Sequence, residues 1–273
     1  MTRHLNKPIA NARMYSATPE LKRRWNELLA WVLNEAALDW PVIDHDPPAP
    51  LAPLWARGDL GAVFMCGLPY SHRAPPAHIV AAPIPSPARY AGRPVYFTDI
   101  VVRADSAFQR LEDTFGMTAG YTVADSLSGA VAFADHLRPY RAARGAPLYR
   151  AVVGGLIHAR GVIAALNDGR IDVGPLDSYY HDLLRAAAPE LAAQVRGIAS
   201  TPARPLPLFI ATAPLDADTL ARLRAAFAAA AHTPELQAAR ADLLLAGFAF
   251  PEMHEYDGLR ALPERLESPL ESF

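Results

Sequence analysis

The chain of 273 residues has a single cysteine, Cys66, so it can form neither an intramolecular disulfide nor a cysteine-based metal site. No apolar run reaches the length of a membrane-spanning helix, and we expect no membrane insertion. Acidic and basic residues nearly balance, with a net charge of -2 and no long basic run. The balance argues against nucleic acid as a partner.

Motifs of the common enzyme classes are also missing. The sequence contains no GxSxG nucleophile elbow, no HExxH zinc motif and no phosphate-binding P-loop. We therefore predict a protein that is not an enzyme, with no catalytic residues, no cofactor and no bound metal. The N-terminus shows no apolar segment followed by a small-residue cleavage site, so we see no secretory signal in it.

Short apolar strands alternate with helical patterns between the 26 prolines. This order predicts an α/β fold with two mixed, mostly parallel sheets. The first helix is expected to begin after Thr18 as N-cap, with Pro19 in the first turn. A last helix is expected from Pro234 to Ala246, ended by Gly247.

Two extended segments, Val95 to Arg103 and about 198–212, enclose a set of strands and helices large enough for a second sheet. We predict two lobes joined by a double-crossing hinge. Lobe one comprises 1–97 and 204–273, and lobe two comprises 98–203. Ligands of open α/β sheets bind beyond the carboxyl ends of the strands, so we expect a ligand cleft between the lobes.

The strongest polar cluster is Tyr121-Thr-Val-Ala-Asp-Ser-Leu-Ser-Gly129, a predicted strand end, turn and helix start. Backbone N–H groups at the helix start and the hydroxyls of Ser126 and Ser128 would suit an anion, and Gly129 would allow its close approach. The alternative is a plain capping turn, in which Asp125 or Ser126 satisfies the helix. The carboxylate of Asp125 would repel an anion.

Several stretches, taken in their order and spacing, are similar to one known family. They are Ala10-Asn-Ala-Arg-Met-Tyr15; Asp59-Leu-Gly-Ala-Val-Phe-Met-Cys-Gly67 with Pro69-Tyr70; Tyr96-Phe-Thr-Asp-Ile-Val-Val-Arg-Ala-Asp-Ser106; Leu111-Glu-Asp113; Asp125-Ser-Leu-Ser-Gly129; Gly155-Leu-Ile-His158; Ala164-Ala-Leu-Asn-Asp-Gly-Arg-Ile-Asp-Val173; and Leu176-Asp-Ser178. The chain resembles the phosphonate/phosphate-type periplasmic solute-binding proteins of ABC transporters, which have the type II periplasmic-binding-protein fold. It departs from their pattern at Leu127, which interrupts consecutive hydroxyl residues.

The resemblance implies a set of ligand-binding residues drawn from both lobes. They are Ser126, Ser128 and Gly129 in lobe two, Tyr15, Gly67 and Tyr70 in lobe one, Tyr96 at the hinge, and His158 and Asp177. Several of them have an ordinary alternative. Tyr15 and Tyr96 would be buried strand aromatics, and His158 and Asp177 would cap helices. For Cys66 we predict a small buried thiol.

The function implied is that of a solute-binding protein that closes its lobes around a small, oxyanion-bearing, phosphonate- or phosphate-like ligand. An ABC transporter permease would be its partner. The family would place it in the periplasm, whereas the missing signal would fit the cytoplasm. The alternatives are a cytoplasmic enzyme of pyrimidine- or menaquinone-precursor type, or a ligand sensor, on the same fold.

Overall fold

The computed structural model describes residues 7–266, which divide into two compact units. The first unit holds 7–95 and 205–255, and the second holds 96–204 and 256–266. The predicted lobe one included everything from residue 204 onward, whereas the structure groups the segment from Tyr256 with the second unit. The outermost parts of the predicted lobe, 1–6 and 267–273, lie outside the described residues.

The first unit contains a five-stranded sheet. Its strands are β1 (Ile9–Asn11), β2 (Leu60–Met65), β3 (His78–Pro85), β11 (Leu208–Ala211) and β12 (Leu245–Ala249), in the order β1-β2-β11-β3-β12. Its helices are α1 (Pro19–Glu35), α2 (Leu51–Trp55), α3 (Gly67–Ser71), α8 (Ala217–Ala230) and α9 (Gln237–Asp242). β1 and β2 pair in parallel, but β11 runs antiparallel to β2 and β3, and β12 antiparallel to β3. The sheet is therefore mixed rather than mostly parallel.

The second unit is built around strands β5 (Thr98–Arg103), β6 (Thr118–Gly120), β7 (Ala151–Val153), β8 (Gly174–Asp177) and β9 (Val195–Ser200). Its helices are α4 (Ala132–Arg144), α5 (Ala159–Asn167), α6 (Ser178–Ala187), α7 (Pro189–Ala192) and α10 (Asp257–Arg260). The chain passes between the units at β4 (Val95–Tyr96) and β10 (Arg204–Pro205), which pair as a two-stranded sheet.

Helix α1 begins as the sequence predicts. The Thr18 hydroxyl accepts a hydrogen bond from the Leu21 N–H at 3.2 Å, and Pro19 occupies the first turn, where its missing N–H costs nothing. The buried face of the helix includes Trp25, whose ring makes an edge contact with Phe64 at 5.1 Å. Such contacts add to the free energy that apolar burial contributes to the first core.

The core of the second unit is separate and contains the buried residues Val102, Phe133, Leu137 and Tyr149. Burial raises the pKa of the Tyr149 phenol, and a hydrogen bond with the Thr114 hydroxyl at 3.1 Å opposes this shift. The phenol is therefore neutral and serves as a packing group with one polar partner.

The prediction that Gly247 ends a helix is wrong. The helix stops at Asp242, and Gly247 lies inside β12, whose residues pair with β3. Phe248 is buried by this pairing, with its ring 4.9 Å from that of Phe227. Tertiary packing of this kind overrides helix propensity in a short segment.

Candidate ligand-binding site in the second unit

Three helix starts of the second unit follow the carboxyl ends of β6, β7 and β8, which belong to a two-stranded sheet (β6-β7) and a three-stranded sheet (β8-β5-β9). β6 and β7 pair in parallel, and Ala119 forms a parallel bridge with Val173, immediately before β8. The carboxyl ends of β6, β7 and β8 therefore share an edge. Each strand leads to a helix start, and the side chains that cap these starts are Ser126, His158 and Asp177.

The first helix start is a π turn, Leu127–Val131, that continues into α4. The Ser126 hydroxyl accepts from the Gly129 N–H at 3.0 Å, and the Ser126 carbonyl accepts from the Val131 N–H at 3.1 Å. The capping alternative is therefore present at Ser126. The hydroxyl keeps its own proton, which it can still donate. Single π turns of this kind are frequent at functional sites.

Position 129 requires a glycine because a neighbouring side chain of the protein leaves no room for a Cβ atom. A Cβ at this position would lie 1.9 Å from the Thr122 hydroxyl oxygen and 2.8 Å from that of Ser126. The Thr122 N–H also donates to the Gly129 carbonyl at 2.9 Å. The predicted close approach at Gly129 exists, but the approaching group is Thr122.

Ser128 is held at both its backbone and its side chain. Its carbonyl accepts from the Thr98 hydroxyl at 2.9 Å, and its own hydroxyl donates to Asp177 Oδ2 at 3.4 Å. Thr98 is almost fully buried, so this contact is shielded from water. The side chain of Ser128 is thus directed toward Asp177.

Asp177 caps α6. Its Oδ1 accepts from the backbone N–H groups of Tyr179 and Tyr180 at 2.9 and 3.0 Å. A carboxylate is favourable at a helix N-terminus, where the unpaired N–H groups carry partial positive charge. The capping alternative for Asp177 is therefore observed, and it does not by itself exclude a ligand contact.

His158 caps α5 through its Nδ1, which accepts from the Gly161 N–H at 3.1 Å. An accepting Nδ1 carries no proton, so the neutral ring has its proton on Nε2 and can donate from there. The two residues before His158 are hydrogen-bonded to the turn that precedes α4. The Leu156 N–H donates to the Tyr121 carbonyl and the Ile157 N–H donates to the Thr122 carbonyl, both at 3.3 Å.

The remaining predicted site residues lie elsewhere. Tyr15 is buried in the first unit with its ring 5.3 Å from that of Phe64. Tyr70 is buried in α3, which begins at Gly67, and its hydroxyl lies 3.5 Å from a backbone carbonyl of the same unit. Tyr96 is buried in β4, where the chain crosses between units. The second unit thus gathers one group of the predicted residues: Ser126, Ser128, Gly129, His158 and Asp177.

Sequence reasoning missed Thr98 and Thr122, which position this group. Thr98 belongs to an apolar strand, where a threonine is an ordinary residue with high strand propensity. Thr122 lies within the polar turn but carries no motif of its own. Only their hydrogen bonds and close contacts with Ser128 and Gly129 reveal the role.

No helix within residues 7–266 is both long and apolar enough to span a bilayer. No group of three or more His, Cys, Asp or Glu residues in that part of the chain is arranged to hold a metal ion. Cys66 is buried, as predicted, and forms no disulfide.

Comparison with solved structures shows similar folds at low sequence identity. A binding protein component of an ABC phosphonate transporter from Pseudomonas aeruginosa has 18% identity and a TM-score of 0.76, covering 96% of this chain and 87% of that chain. PhnD1 from Prochlorococcus marinus, in complex with methylphosphonate, has 13% identity and a TM-score of 0.75, covering 96% and 98%. A Xanthomonas citri protein bound to ATP has 19% identity and a TM-score of 0.68, covering 97% and 100%. These matches confirm the predicted two-lobed periplasmic-binding-protein fold class.

A family profile identifies the family of this chain, whereas comparison with curated proteins finds no match. The family profile described as ABC transporter, phosphonate, periplasmic substrate-binding protein matches residues 16–256, which is most of the chain. The match confirms the predicted transport function and gives no support to the enzyme or sensor alternatives. The chain therefore belongs to the phosphonate substrate-binding proteins of ABC transporters, a periplasmic transport family and not an enzyme family.

Proposed function

We propose that this chain binds a phosphonate or a closely related oxyanion at the edge of the second unit where the three helices begin. The observation that supports it is the convergence of helix starts at the carboxyl ends of β6, β7 and β8. The first N–H groups of a helix have no partner within it and carry partial positive charge. Several such ends at one edge suit a multiply charged anion.

Side chains at the same edge supply further donors. Ser126 retains its hydroxyl proton after accepting from Gly129, and His158 carries a donor at Nε2 after accepting from Gly161 through Nδ1. Hydrogen bonds to a charged oxygen are stronger than those between neutral groups. We assign these two side chains as direct ligand donors.

The carboxylate of Asp177 would oppose an anion if it were unsatisfied. Its two oxygens instead accept from the Tyr179 and Tyr180 N–H groups and from the Ser128 hydroxyl. These donors and the α6 N-terminus compensate its charge locally. We therefore assign Asp177 a positioning role, in which it orients Ser128 beside the ligand.

Titration calorimetry with methylphosphonate, inorganic phosphate and sulfate tests the proposal. We expect the wild-type chain to bind at least one phosphonate, and the Ser126→Ala/Ser128→Ala double variant to bind it at least about tenfold more weakly, since the charge-assisted hydrogen bond lost with the Ser126 hydroxyl is worth about 1.5–3 kcal/mol. Ser86→Ala is the matched control, because Ser86 is exposed and lies in the first unit. Equal affinity in the double variant and the control would remove these serines from the site.

A ligand that binds only the folded state must also stabilise it. At a concentration one hundred times the dissociation constant, the expected gain is about 2.7 kcal/mol in the free energy of unfolding. Absence of any stabilisation across phosphate, phosphonates, carboxylates and sulfonates would contradict the proposed function.

We further propose that the chain works in the periplasm and delivers its ligand to the permease of an ABC transporter. The family match supports this assignment. Fractionation of the native cell should recover the chain with periplasmic markers, and uptake of labelled methylphosphonate by the reconstituted transporter should depend on it. Recovery with cytoplasmic markers would contradict the location.

Ligand contact remains a prediction for four further residues: Tyr15, Gly67, Tyr70 and Tyr96. All four are buried in the structure. Buried tyrosines combine an apolar ring with a hydroxyl that can reach a polar group, which is the property that the prediction uses.

A further inference from the structure

A buried polar network lies between the sheet of the second unit and the start of α6. His181 on α6 and Asp99 on β5 have almost fully buried side chains, which are 1% and 5% exposed. The imidazole Nδ1 lies 2.9 Å from Asp99 Oδ2, and the Ser200 hydroxyl on β9 donates to Asp99 Oδ1 at 2.9 Å. Because an ionised carboxylate only accepts, the Nδ1–H of His181 is the donor.

Stability alone does not explain this network. A carboxylate and an imidazole taken out of water lose free energy that their hydrogen bonds only partly restore, and apolar residues of similar volume often stabilise a core as well or better. The Nε2 atom of His181 adds to the cost, because it is buried and has no hydrogen-bond partner within residues 7–266. The network therefore calls for a role in the geometry of the unit.

A second contact holds the same end of α6. The Ser178 hydroxyl accepts from the Phe97 N–H at 2.9 Å, and the Ser178 N–H donates to the Phe97 carbonyl at 3.0 Å. Ser178 is fully buried, so water does not compete for these bonds. Phe97 and Asp99 belong to the segment 97–99, which directly follows the crossing strand β4 and which we call the anchor segment.

The anchor segment contacts two helix starts. Successive side chains of a strand point to opposite faces of its sheet. The Thr98 hydroxyl donates to the carbonyl of Ser128 in the turn that leads into α4, whereas Asp99 accepts from His181 on α6. Consecutive residues of β5 thus hold the starts of α4 and α6.

Helix α6 is connected to the proposed site by one side chain. Its first three backbone N–H groups all donate within the protein: that of Ser178 to the anchor segment, and the next two to Asp177 Oδ1. The other oxygen of Asp177 accepts from the Ser128 hydroxyl at 3.4 Å. A displacement of α6 would therefore move Asp177 away from Ser128.

We infer that His181 and Asp99 are positioning residues for ligand binding, which hold α6 against the anchor segment so that Asp177 keeps the Ser128 hydroxyl in place. The inference rests on the proposed function and adds two residues, neither of which contacts the ligand. Removal of the network should therefore lower ligand affinity without an equivalent loss in the free energy of unfolding.

An apolar replacement of the pair separates these two quantities. Asp99→Leu/His181→Leu removes both buried polar groups, and the exposed Ser200 hydroxyl can then bond to water. We expect urea denaturation to show a stability equal to or above that of the wild type, and calorimetry to show methylphosphonate binding weakened about fivefold or more.

Two single variants of His181 form a matched pair that does not depend on the double variant. His181→Asn keeps an amide donor near the position of Nδ1, whereas His181→Gln places its amide near the position of Nε2, away from Asp99. We expect His181→Asn to bind methylphosphonate within about twofold of the wild type, and His181→Gln to bind it severalfold more weakly. Leu184→Ala, a cavity in the same helix outside the network, should lower stability and leave the affinity within about twofold.

The outcomes distinguish this inference from the proposed function. Wild-type affinity in His181→Gln and in a folded double variant would remove the network from ligand binding and leave the proposed function intact. The same conclusion would follow if every variant, Leu184→Ala included, lost affinity in proportion to its stability, or if His181→Asn and His181→Gln bound equally weakly. If the wild type binds none of methylphosphonate, phosphate and sulfate, the proposed function fails together with the inference.

Discussion

Thr98 and Asp177 are cross-strand partners on β5 and β8, and both hydrogen-bond to Ser128. Thr98 holds the Ser128 carbonyl, and Asp177 accepts from the Ser128 hydroxyl. β5 begins two residues after the crossing strand β4. The segment that leaves the crossing therefore contacts the first helix start of the proposed site directly.

Replacement of Thr98 by valine should weaken ligand binding, because valine keeps the shape of threonine but cannot donate to the Ser128 carbonyl. Leaving a buried carbonyl without this donor costs about 1–3 kcal/mol. We expect a lower free energy of unfolding and a loss of phosphonate affinity of about fivefold or more, measured by urea denaturation and calorimetry. Thr98→Ser, which keeps the hydroxyl, should restore both. A Thr98→Val variant with wild-type affinity would show that the contact does not position the site.

Alanine at Gly129 should disrupt the turn. Its Cβ would lie 1.9 Å from the Thr122 hydroxyl oxygen, so one of the two residues must move. Overpacking of this kind costs about 1–3 kcal/mol, and the ligand affinity should fall with the free energy of unfolding.

Two variants control the Gly129 experiment. Gly58→Ala places a Cβ with no atom within 4 Å and should leave both quantities unchanged. Thr122→Ala removes the clashing oxygen and should recover part of the lost stability when combined with Gly129→Ala. A double variant no more stable than Gly129→Ala alone would contradict the proposed clash.

The two roles of His158 can be separated. Asparagine is a good N-cap residue, whereas alanine is not, so His158→Ala should lose about 1 kcal/mol of stability and His158→Asn much less. If the Nε2–H also binds the ligand, both variants should lose phosphonate affinity severalfold. Wild-type affinity in a stable His158→Asn variant would reduce the residue to a helix cap.

The stability of the second unit should depend on pH through His136. Burial lowers the pKa of the His136 imidazole, and the nearby Asp135 only partly opposes this shift. The neutral form is therefore favoured in the folded state, and its contribution to stability is present above the unfolded pKa of 6.5 and is lost as the pH falls below it.

Urea denaturation at pH 7.5 and pH 5.5 measures this effect. The free energy of unfolding should fall between these values in the wild type and fall less in His136→Gln; His254→Gln, at an exposed position, is the control. Some carboxyls also have a lowered pKa: Asp59 through its hydrogen bond with Arg57, and Asp113 through backbone N–H groups. Their effect on the free energy of unfolding falls below pH 3.8, the usual pKa of the group, and therefore outside the range from pH 5.5 to pH 7.5. Equal pH dependence in His136→Gln and wild type would contradict the assignment.

The predicted tyrosine contacts can be tested without disturbing the packing. Tyr15→Phe, Tyr70→Phe and Tyr96→Phe each remove a hydroxyl and keep the ring. Where the hydroxyl binds the ligand, affinity should fall about fivefold, corresponding to about 1 kcal/mol, while the unfolding midpoint changes little. A variant that binds as tightly as wild type would assign its tyrosine to the core alone.

The local features of this chain could be predicted from its sequence because they depend on residues within about one helical turn. Thr18 and Pro19 begin α1 as expected, and a helix start follows Ser126. The fold class and the family also followed, since the order and spacing of short segments survive at low identity.

The tertiary structure alone decided which distant residues support the site and how the strands are ordered. Thr98 meets Ser128 across 30 positions, and Thr122 fixes Gly129, because strand order and register bring them together. Gly247 lies in a strand and not at a helix end because β12 pairs with β3. Sequence determined the elements and their caps through local hydrogen bonds and periodicity. Which distant residues and strands contact one another was decided by packing between helices and strands. The free energy of that packing depends on residues far apart in the sequence, which no local pattern specifies.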